Sequence, residues 1–390
     1  MSLRPLVEEE IAAAARSASI AFAVPVDDCV KWLEGAGLDA LRALDEGEGP
    51  VAYMMRVAMG QFVHGVSLST LGIAGVTVPP EHRAKGHGRT LMERVLRAAF
   101  DEGFVLSSLY PSTQTLYRSV GYEQCGAMFE HRVGRGEFHG HRAGEFEVRA
   151  LSPEAPEVRA LYKTFASRSN GYLDRGEYVW GRIAKHRGTA FECLGCYRPD
   201  ETLAAYACLA QVREGDEVQL KVRDFAYEDA DGARAVLALI DRFTTVSDEV
   251  LLYGGPVLPL LSLLPQQKFS VSKVEYTMFR VVSVERALSE RRYPKGLRAT
   301  VCLSIRDGVI AENNGAFTCE IAGGRAIVRR GEPDATLRAT MDVRALAPLF
   351  TSWSSATTLA SIGAIEADAD ACAVLDAVFA GAPPSLCDYF

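Results

Sequence analysis

The sequence predicts an α+β protein of three consecutive domains, the first two being copies of one fold. Three observations support this prediction. A strand, a basic glycine-containing loop and an amphipathic helix follow one another near residue 80, and a similar order of strands and helices returns between residues 190 and 282. From about residue 290, short strands separated by hairpin signals give way to helices. A chain of 390 residues is long enough for two or three domains.

The composition narrows the classes of function. With 48% hydrophobic and 24% charged residues, the chain is typical of a globular protein with substantial cores. No apolar run approaches the ~18 residues that span a bilayer and no signal peptide is evident, so we expect no membrane partner and a cytoplasmic location. The net charge of −8 argues against nucleic-acid binding and is compatible with a cationic amine substrate. The isolated Cys193-x-x-Cys196 pair predicts buried thiols in a strand, and no metal site is expected.

The most informative segment runs from the strand Val76-Thr77-Val78 into the loop Arg83-Ala84-Lys85-Gly86-His87-Gly88-Arg89. Glycines let the backbone turn so that several N–H groups point at one spot, and the helix that follows adds positive potential there. Arg83, Lys85 and Arg89 surround that spot with positive charge. The segment therefore predicts a pyrophosphate site, although its spacing fits neither a P-loop nor a dinucleotide-binding motif.

Arg-x-x-Gly-x-Gly between a Val-x-Val strand and a helix resembles the acetyl-CoA loop of the GNAT N-acetyltransferase superfamily. The helix carries its apolar residues on one face, and the strand Phe104–Leu109 follows it. Tyr117-Arg118-Ser119-Val120-Gly121-Tyr122 then matches the other half of the pattern, Tyr-x-x-x-Gly-Tyr. In that superfamily this tyrosine approaches the CoA sulfur. The resemblance implies acetyl-CoA as the co-substrate.

The middle third looks like a degenerate second copy of the same fold. A hairpin is predicted from the two strands Phe191–Tyr197 and Ala204–Arg213. A strand at Glu217–Phe225, a helix at Gly232–Phe243 and a further strand at Glu249–Tyr253 follow it. Where the basic loop should stand, Asp224–Asp231 carries four carboxylates and no glycine. Phosphates bound there would face these negative carboxylates, and each pair of like charges would cost ~1 kcal/mol or more. We expect this copy to frame the structure or the substrate and not to bind CoA.

The last hundred residues resemble a sterol-carrier-protein-like domain. Strands are predicted at Thr300–Asp307, Val309–Glu312, Ala316–Ala322 and Arg325–Arg330, and helices at Val343–Leu349, Thr357–Ile362 and Ala369–Phe379. We therefore place two tandem GNAT-like domains at residues 1–140 and 141–286, and the sterol-carrier-like domain at 287–390. Such a domain could bind lipid, which gives a rival function from a different class.

After Pro383-Pro384 the sequence closes on an aromatic residue, Phe390, which is typical of a docked terminus. Together with the three domains, this resembles the Eis (enhanced intracellular survival) acetyltransferases over essentially the whole chain. In that family the carboxylate of the terminal phenylalanine is the general base and the motif tyrosine the general acid, which implies Phe390 and Tyr117 here. The family also implies a homohexamer.

The resemblance further assigns the acetyl-CoA site. The implied residues are Val76, Thr77 and Val78 on the strand, Arg83, Ala84, Lys85, Gly86, His87, Gly88 and Arg89 in the loop, and Ser112 and Thr113 ahead of the tyrosine. Two departures stand out. His87 stands where members of the family often carry an aliphatic residue, and Phe22 and Val24 occupy the stretch where the resemblance implies an acid lining an aminoglycoside pocket.

The predicted activity is acetyl-CoA-dependent transfer of an acetyl group to a primary amine, with an aminoglycoside-like polycation as one candidate. Acetylation of protein lysines is the alternative within the class, and lipid transport by the last domain is the alternative outside it. Direct attack on the thioester is favoured over a route through Cys125, because nothing near that cysteine in the sequence would activate its thiol.

Overall fold

The computed structural model describes residues 1–142, 144–186, 188–331 and 337–390. Its strands are β1 (Ser2–Pro5), β2 (Leu41–Asp45), β3 (Pro50–Val63), β4 (Val66–Thr77), β5 (Leu106–Leu109), β6 (Glu123–Gly134), β7 (Glu147–Ala150), β8 (Leu173–Asp174), β9 (Lys185–His186), β10 (Thr189–Ala190), β11 (Glu192–Tyr197), β12 (Leu203–Glu214), β13 (Glu217–Tyr227), β14 (Glu249–Gly254), β15 (Phe269–Val281), β16 (Ala299–Arg306), β17 (Gly315–Ala322), β18 (Arg325–Arg330), β19 (Arg338–Asp342) and β20 (Ile365–Ala367). Its α-helices are α1 (Ile11–Phe22), α2 (Val26–Ala36), α3 (His87–Asp101), α4 (Gln114–Arg118), α5 (Pro156–Ala166), α6 (Glu177–Trp180), α7 (Ala230–Phe243), α8 (Val284–Glu290), α9 (Val343–Phe350), α10 (Ala356–Ser361) and α11 (Ala369–Val378).

The chain forms two compact units. The first comprises Met1–Cys125, Thr277–Pro383 and Phe390, and the second comprises Gly126–Tyr276 and Pro384–Tyr389. No helix in the described part of the chain is long and apolar enough to cross a membrane.

In the first unit, β1 to β4 are antiparallel neighbours, and β4 then runs parallel to β5. Helix α3 connects β4 to β5, as the sequence predicts. Its apolar stripe is fully buried against the sheet, because residues three and four apart lie on one face of a helix. The buried residues of this stripe are Leu91, Met92, Val95, Leu96 and Ala99.

Residues 299–367, in the same unit, build a separate sheet in the order β18-β17-β16-β19-β20. The predicted strand at Val309–Glu312 is wrong, because the carboxylate of Asp307 accepts hydrogen bonds from the amides of Val309 (2.9 Å) and Ile310 (3.1 Å) and turns the chain. A short 3-10 helix, Ala311–Asn313, follows. Strand β19 instead pairs in parallel with β16, a neighbour that local sequence patterns did not indicate.

The second unit repeats the arrangement of the first. Strands β12 and β13 form a hairpin, α7 follows, and β14 pairs in parallel with β13 from Gln219–Glu249 to Val222–Leu252. The predicted hairpin of β11 and β12 is present, and a disulfide between Cys193 and Cys208 joins these strands. Cys196 is a buried thiol.

A buried ion cluster holds the residues before the chain end to the second unit. The guanidinium of Arg175 donates two hydrogen bonds to Asp224, both 2.8 Å, and two to Asp388, at 2.9 and 2.8 Å. Its Cζ lies 3.6 Å from the centre of the Tyr162 ring, and the hydroxyl of Tyr206 donates to Asp224 at 2.7 Å. Each charge is therefore matched by hydrogen bonds, which a buried ion needs.

Candidate active site

Strands β4 and β5 part at the centre of the first unit. Their parallel pairing ends at Ile73–Leu109, whereas β4 continues to Thr77. The pairing of β4 with β3 shifts register over the same stretch, where Gly75 has a φ of +60°. A bulge of this kind bends a strand away from its neighbour. The end of β4 therefore has a side that β5 does not cover, where backbone groups can meet a ligand.

The basic loop lies directly beyond this strand end. Arg83 folds back so that its Nε donates to the carbonyl oxygen of Val78 at 3.0 Å. Ala84 and Gly86 both adopt left-handed backbone conformations, with φ of +61° and +82°, and α3 begins at the next residue. Such a turn into a helix presents backbone N–H groups and the positive end of the helix dipole to an anion. Lys85 and Arg89 are exposed beside it.

His87 differs from its neighbours in the loop. Its side chain is 3% exposed, and neither ring nitrogen has a hydrogen-bond partner among the described residues. The closest charge is a carboxylate oxygen of Glu46, 3.6 Å from Nδ1. The imidazole therefore points inward and does not offer an exposed donor to a phosphate, although the residue stands in the predicted loop.

Tyr117 lies on α4 with its side chain 4% exposed. Burial raises the pKa of its phenol to about 12, although a hydrogen bond with Ser112 acts in the opposite direction. The ring packs edge-on against Tyr122, with the ring centres 6.0 Å apart. A phenol that stays protonated at neutral pH is suited to donating a proton. Thr113 is the residue before α4, and its side chain makes no capping hydrogen bond.

The ring of Phe390 lies where β4 and β5 part. A Cβ at Gly72 would come within 2.9 Å of two atoms of that ring, and the ring centre is 5.6 Å from that of Tyr110. Gly72 pairs with Ser108, one position before the last pair of the two strands. The sequence pointed to Phe390, but it did not reveal that Gly72 leaves room for its ring.

These groups share one neighbourhood. Tyr117 belongs to a core cluster with Ile73 and Leu109, the last pair of the parallel ladder, and Val76 and Val78 pack against that cluster. A Cβ at Gly88 would lie 3.5 Å from Leu116 and 3.8 Å from Val78, so the start of α3 adjoins α4 and the end of β4. The site can hold an elongated anion with its phosphates at the start of α3 and its other end along β4.

The turn between α1 and α2 carries apolar surface, and the carboxylates of Asp27 and Asp28 are exposed in the first turn of α2 that follows. Phe22 and Val24 are 37% and 39% exposed, and the Phe22 ring lies 6.3 Å from that of Trp32. Trp32 in turn reaches the bulge, because a Cβ at Gly75 would be 2.9 Å from its ring. This stretch therefore offers apolar contacts beside exposed carboxylates. Within the described ranges, no group of three or more His, Cys, Asp or Glu side chains is arranged to hold a metal ion.

In the second unit, carboxylates occupy the corresponding position. The side chain of Asp229 accepts a hydrogen bond from the amide of Gly232 at 2.9 Å and caps α7. Arg198 pairs with both Glu228 and Asp229. The helix that follows β13 thus has its anion supplied by its own sequence. This arrangement supports the expectation that the second copy does not bind CoA.

Comparison with known families divides the chain into three matches. Residues 2–125 and residues 171–281 each match a family model described as an acetyltransferase (GNAT) domain. Residues 284–387 match a sterol carrier protein domain. These matches confirm the predicted α+β architecture of two GNAT domains followed by a sterol-carrier-like domain. The boundaries placed at residues 140 and 286 stay predictions.

Relatives and solved structures agree with these matches. The chain is 27% identical over 380 residues to the N-acetyltransferase Eis of Mycobacterium tuberculosis, which covers 93% of this chain and 89% of that protein. It is 26% identical over 361 residues to an uncharacterized N-acetyltransferase of Streptomyces griseus, covering 81% and 80%. A GCN5-related N-acetyltransferase from Anabaena variabilis superposes with a TM-score of 0.93 at 26% identity, covering both chains in full. Eis1 from Mycobacterium abscessus shares the fold, with a TM-score of 0.79 at 19% identity and full coverage of both chains.

Proposed function

We propose that this chain, which belongs to the Eis-like N-acetyltransferases of the GNAT superfamily, transfers the acetyl group of acetyl-CoA to a primary amine by direct attack on the thioester. One observation carries the proposal. The parting of β4 and β5 adjoins the basic loop at the start of α3, and Tyr117 and the ring of Phe390 lie at the same parting. When bound, acetyl-CoA supplies the activated acetyl group.

The residues that would hold acetyl-CoA are the strand end Val76, Thr77 and Val78 and the loop from Arg83 to Arg89. In this proposal the loop binds the phosphates through backbone N–H groups and through Lys85 and Arg89. The backbone N–H of Val78 stabilises the thioester oxygen as negative charge develops on it. Ser112 and Thr113 flank the approach to Tyr117. The uncovered side of β4 supports this assignment, because its backbone groups can pair with a bound chain as a strand would.

Two groups of the chain would move protons. The α-carboxylate of Phe390 takes a proton from the substrate ammonium, and the neutral amine then attacks. An α-carboxyl group has a pKa of about 3.5 in water, so it is a weak base unless its surroundings raise that pKa. The phenol of Tyr117 gives its proton to the departing thiolate, for which a pKa of roughly 8.5 is typical, and the second proton that the attacking nitrogen must lose to become an amide restores the phenol. A route through Cys125 is disfavoured, because burial raises the pKa of this thiol well above its usual value.

The acceptor is proposed to be a small-molecule amine, with an aminoglycoside-like polycation as one candidate, because the chain's net charge of −8 is compatible with a cationic substrate. The exposed Phe22 and Val24 support an acceptor whose amine stands beside an apolar group. A cytoplasmic location and assembly into a homohexamer belong to the same proposal, and light scattering of the purified chain tests the assembly.

A thiol-release assay tests the function. Acetyl-CoA is offered with a panel of aminoglycosides, apolar primary amines and lysine-containing peptides, and CoA release is followed with a thiol reagent. We expect release with at least one small amine, and acetylation of that amine by mass spectrometry. Release only with peptides would establish the lysine alternative. The absence of release with every amine, together with lipid retained from the expression host, would favour the carrier.

A further inference from the structure

A cleft lined by arginines lies beside the start of α3 in the first unit. It has a volume of about 280 Å³ and is lined by Arg89 of α3, residues 118–121 at the end of α4 and just beyond it, residues 307–309 and the start of α9 at Asp342–Arg344. Arg118, Asp342 and Arg344 also line an adjoining cavity of about 580 Å³. The cleft therefore brings together the first GNAT domain and the sterol-carrier-like domain at the basic loop.

Two of these arginines share a single carboxylate. Nη2 of Arg118 lies 2.7 Å from one oxygen of Glu123, and Nη2 of Arg344 lies 2.8 Å from the other. Burial alone would raise the pKa of Glu123, but hydrogen bonds from both arginines outweigh it and lower the pKa, so the carboxylate is ionised. The pair thus keeps an excess positive charge. Both guanidinium side chains are more than two-fifths exposed, which leaves N–H donors for a ligand.

The acids that line the cleft are engaged elsewhere. Asp307 accepts two hydrogen bonds, both 2.9 Å, from the buried guanidinium of Arg280. Asp342 caps α9 and accepts the amide of Arg344 at 2.8 Å. Arg89 pairs with Glu93 on the helix surface, but its side chain remains 57% exposed. An anion entering the cleft would therefore meet guanidinium groups and not free carboxylates.

We propose that this cleft binds the 3′-phosphate of CoA, so that Arg344 of the sterol-carrier-like domain completes the co-substrate site. The inference rests on the proposed function. Arg89 belongs both to the loop assigned to the pyrophosphate and to the lining of the cleft, so the two sites adjoin. The 3′-phosphate is the remaining charged group of the nucleotide end, and guanidinium groups match a phosphate with paired hydrogen bonds. The carboxylate of Glu123 orients Arg118 and Arg344 towards one another in the absence of the ligand.

Calorimetry with CoA and 3′-dephospho-CoA on the full chain tests this site, because the two ligands differ only in that phosphate. We expect the wild-type chain to bind CoA at least about tenfold more tightly, as charge-assisted hydrogen bonds are worth at least this factor. The ratio of the affinity for CoA to that for 3′-dephospho-CoA should fall close to one in both Arg344→Ala and Arg118→Ala. The affinity for 3′-dephospho-CoA itself should stay nearly unchanged. Arg97→Ala is the control, since Arg97 also lies on α3 in ion pairs, with Asp101 and Glu312, but lines neither cavity.

Equal affinities of the wild-type chain for the two ligands would overturn the inference, as would an unchanged ratio in Arg344→Ala. Should the alanine variant fail to fold, Arg344→Lys takes its place. Lysine keeps the positive charge but lacks the planar guanidinium, so the ratio of the two affinities should lie between the wild-type value and one. If CoA binds with a ratio of one, the inference alone fails. If neither nucleotide binds the wild-type chain, the proposed function fails with it.

Discussion

The ring of Phe390 fills the space that any side chain at Gly72 would need. Two ring atoms and the terminal methyl group of Met59 would each lie 2.9 Å from a Cβ at that position, closer than carbon atoms approach in folded proteins. Gly72 stands one residue before the parallel strands part. A single hydrogen at position 72 thus allows the end of the chain to reach the centre of the proposed active site.

Gly72→Ala should displace the ring and lower kcat by at least about tenfold, while acetyl-CoA binds as before. Overpacking of this kind costs ~1–3 kcal/mol, which is enough to move a terminal residue. Steady-state kinetics measure kcat, and calorimetry measures the affinity for acetyl-CoA. Gly296→Ala is the matched control, because no atom lies within 4 Å of the added Cβ there. Equal losses in both variants would show that the effect is not due to the ring.

A short Gly-Ser extension after Phe390 keeps the ring but removes the negative charge from it. If the terminal carboxylate is the base, activity should fall sharply while the melting temperature hardly changes. A tail is otherwise tolerated, since chain ends accept extension at little cost. Amidation of the terminal carboxyl by semisynthesis makes the same change without added residues. A tailed enzyme with full activity would refute the assignment of the base.

Tyr117→Phe should lower kcat by on the order of 10²-fold with little change in acetyl-CoA affinity, since only the phenolic proton is lost. Because burial raises the pKa of this phenol to about 12, it stays protonated throughout the neutral and mildly alkaline range. We therefore expect no loss of kcat from its ionisation until the pH approaches that value. An unchanged kcat in the variant would assign the acid to another group, with Tyr110 and Tyr122 next to be tested.

Acetyl-CoA should bind once per chain, through the loop Ala84–Arg89 of the first unit. Replacing Arg83, Lys85 and Arg89 by glutamate should abolish binding in calorimetry, because three positive charges around the phosphates become negative. Arg234→Glu on α7 of the second unit is the control and should leave the affinity unchanged. A stoichiometry of two would contradict the prediction that the acidic second copy is empty.

Arg175→Met should destabilise the protein by roughly 3–5 kcal/mol, because it leaves the buried carboxylates of Asp224 and Asp388 without their guanidinium. The reason is that Arg175 has both carboxylates of its cluster within hydrogen-bond distance and almost no contact with solvent. Denaturant unfolding followed by fluorescence measures the change. Asp231→Asn, which breaks an exposed pair with Arg234, should have little effect. Equal midpoints for the two variants would contradict the importance of the buried cluster.

The sequence predicted what depends on neighbours along the chain. Helix α3, the basic loop before it and the hairpin of β11 and β12 all follow from local spacing of apolar, glycine and charged residues. A turn after β16 is predicted from Asp307-Gly308, but the strand placed after it at Val309–Glu312 is wrong, because the apolar residues there fit both a strand and an Asx turn.

Other parts of the site depend on contacts between distant residues. The residues around Gly72 in the sequence do not indicate contact with the ring of Phe390, which is 318 residues away. A glycine within a strand can also mark a bulge, a bend or a close approach of another backbone. Arg344 falls within the predicted helix Val343–Leu349, and nothing in the sequence marks it as part of a site. Its relation to Arg118 exists only because the last domain packs beside α4, and periodicity in one segment cannot report such packing.

The cap on α7 is a structural difference between the two copies, because the corresponding helix α3 has no side-chain cap. If the second copy once held a nucleotide, losing that ligand would have left amide groups at the helix start without a partner. The carboxylate of Asp229 supplies a permanent partner for one of these amides, and this cap stabilises the helix by ~1 kcal/mol. A mutation that removes Asp229 would lose that stabilisation. The start of α3 has no side-chain cap, so the amide groups of the first copy stay available to a ligand, whereas the second copy needs none to complete its helix.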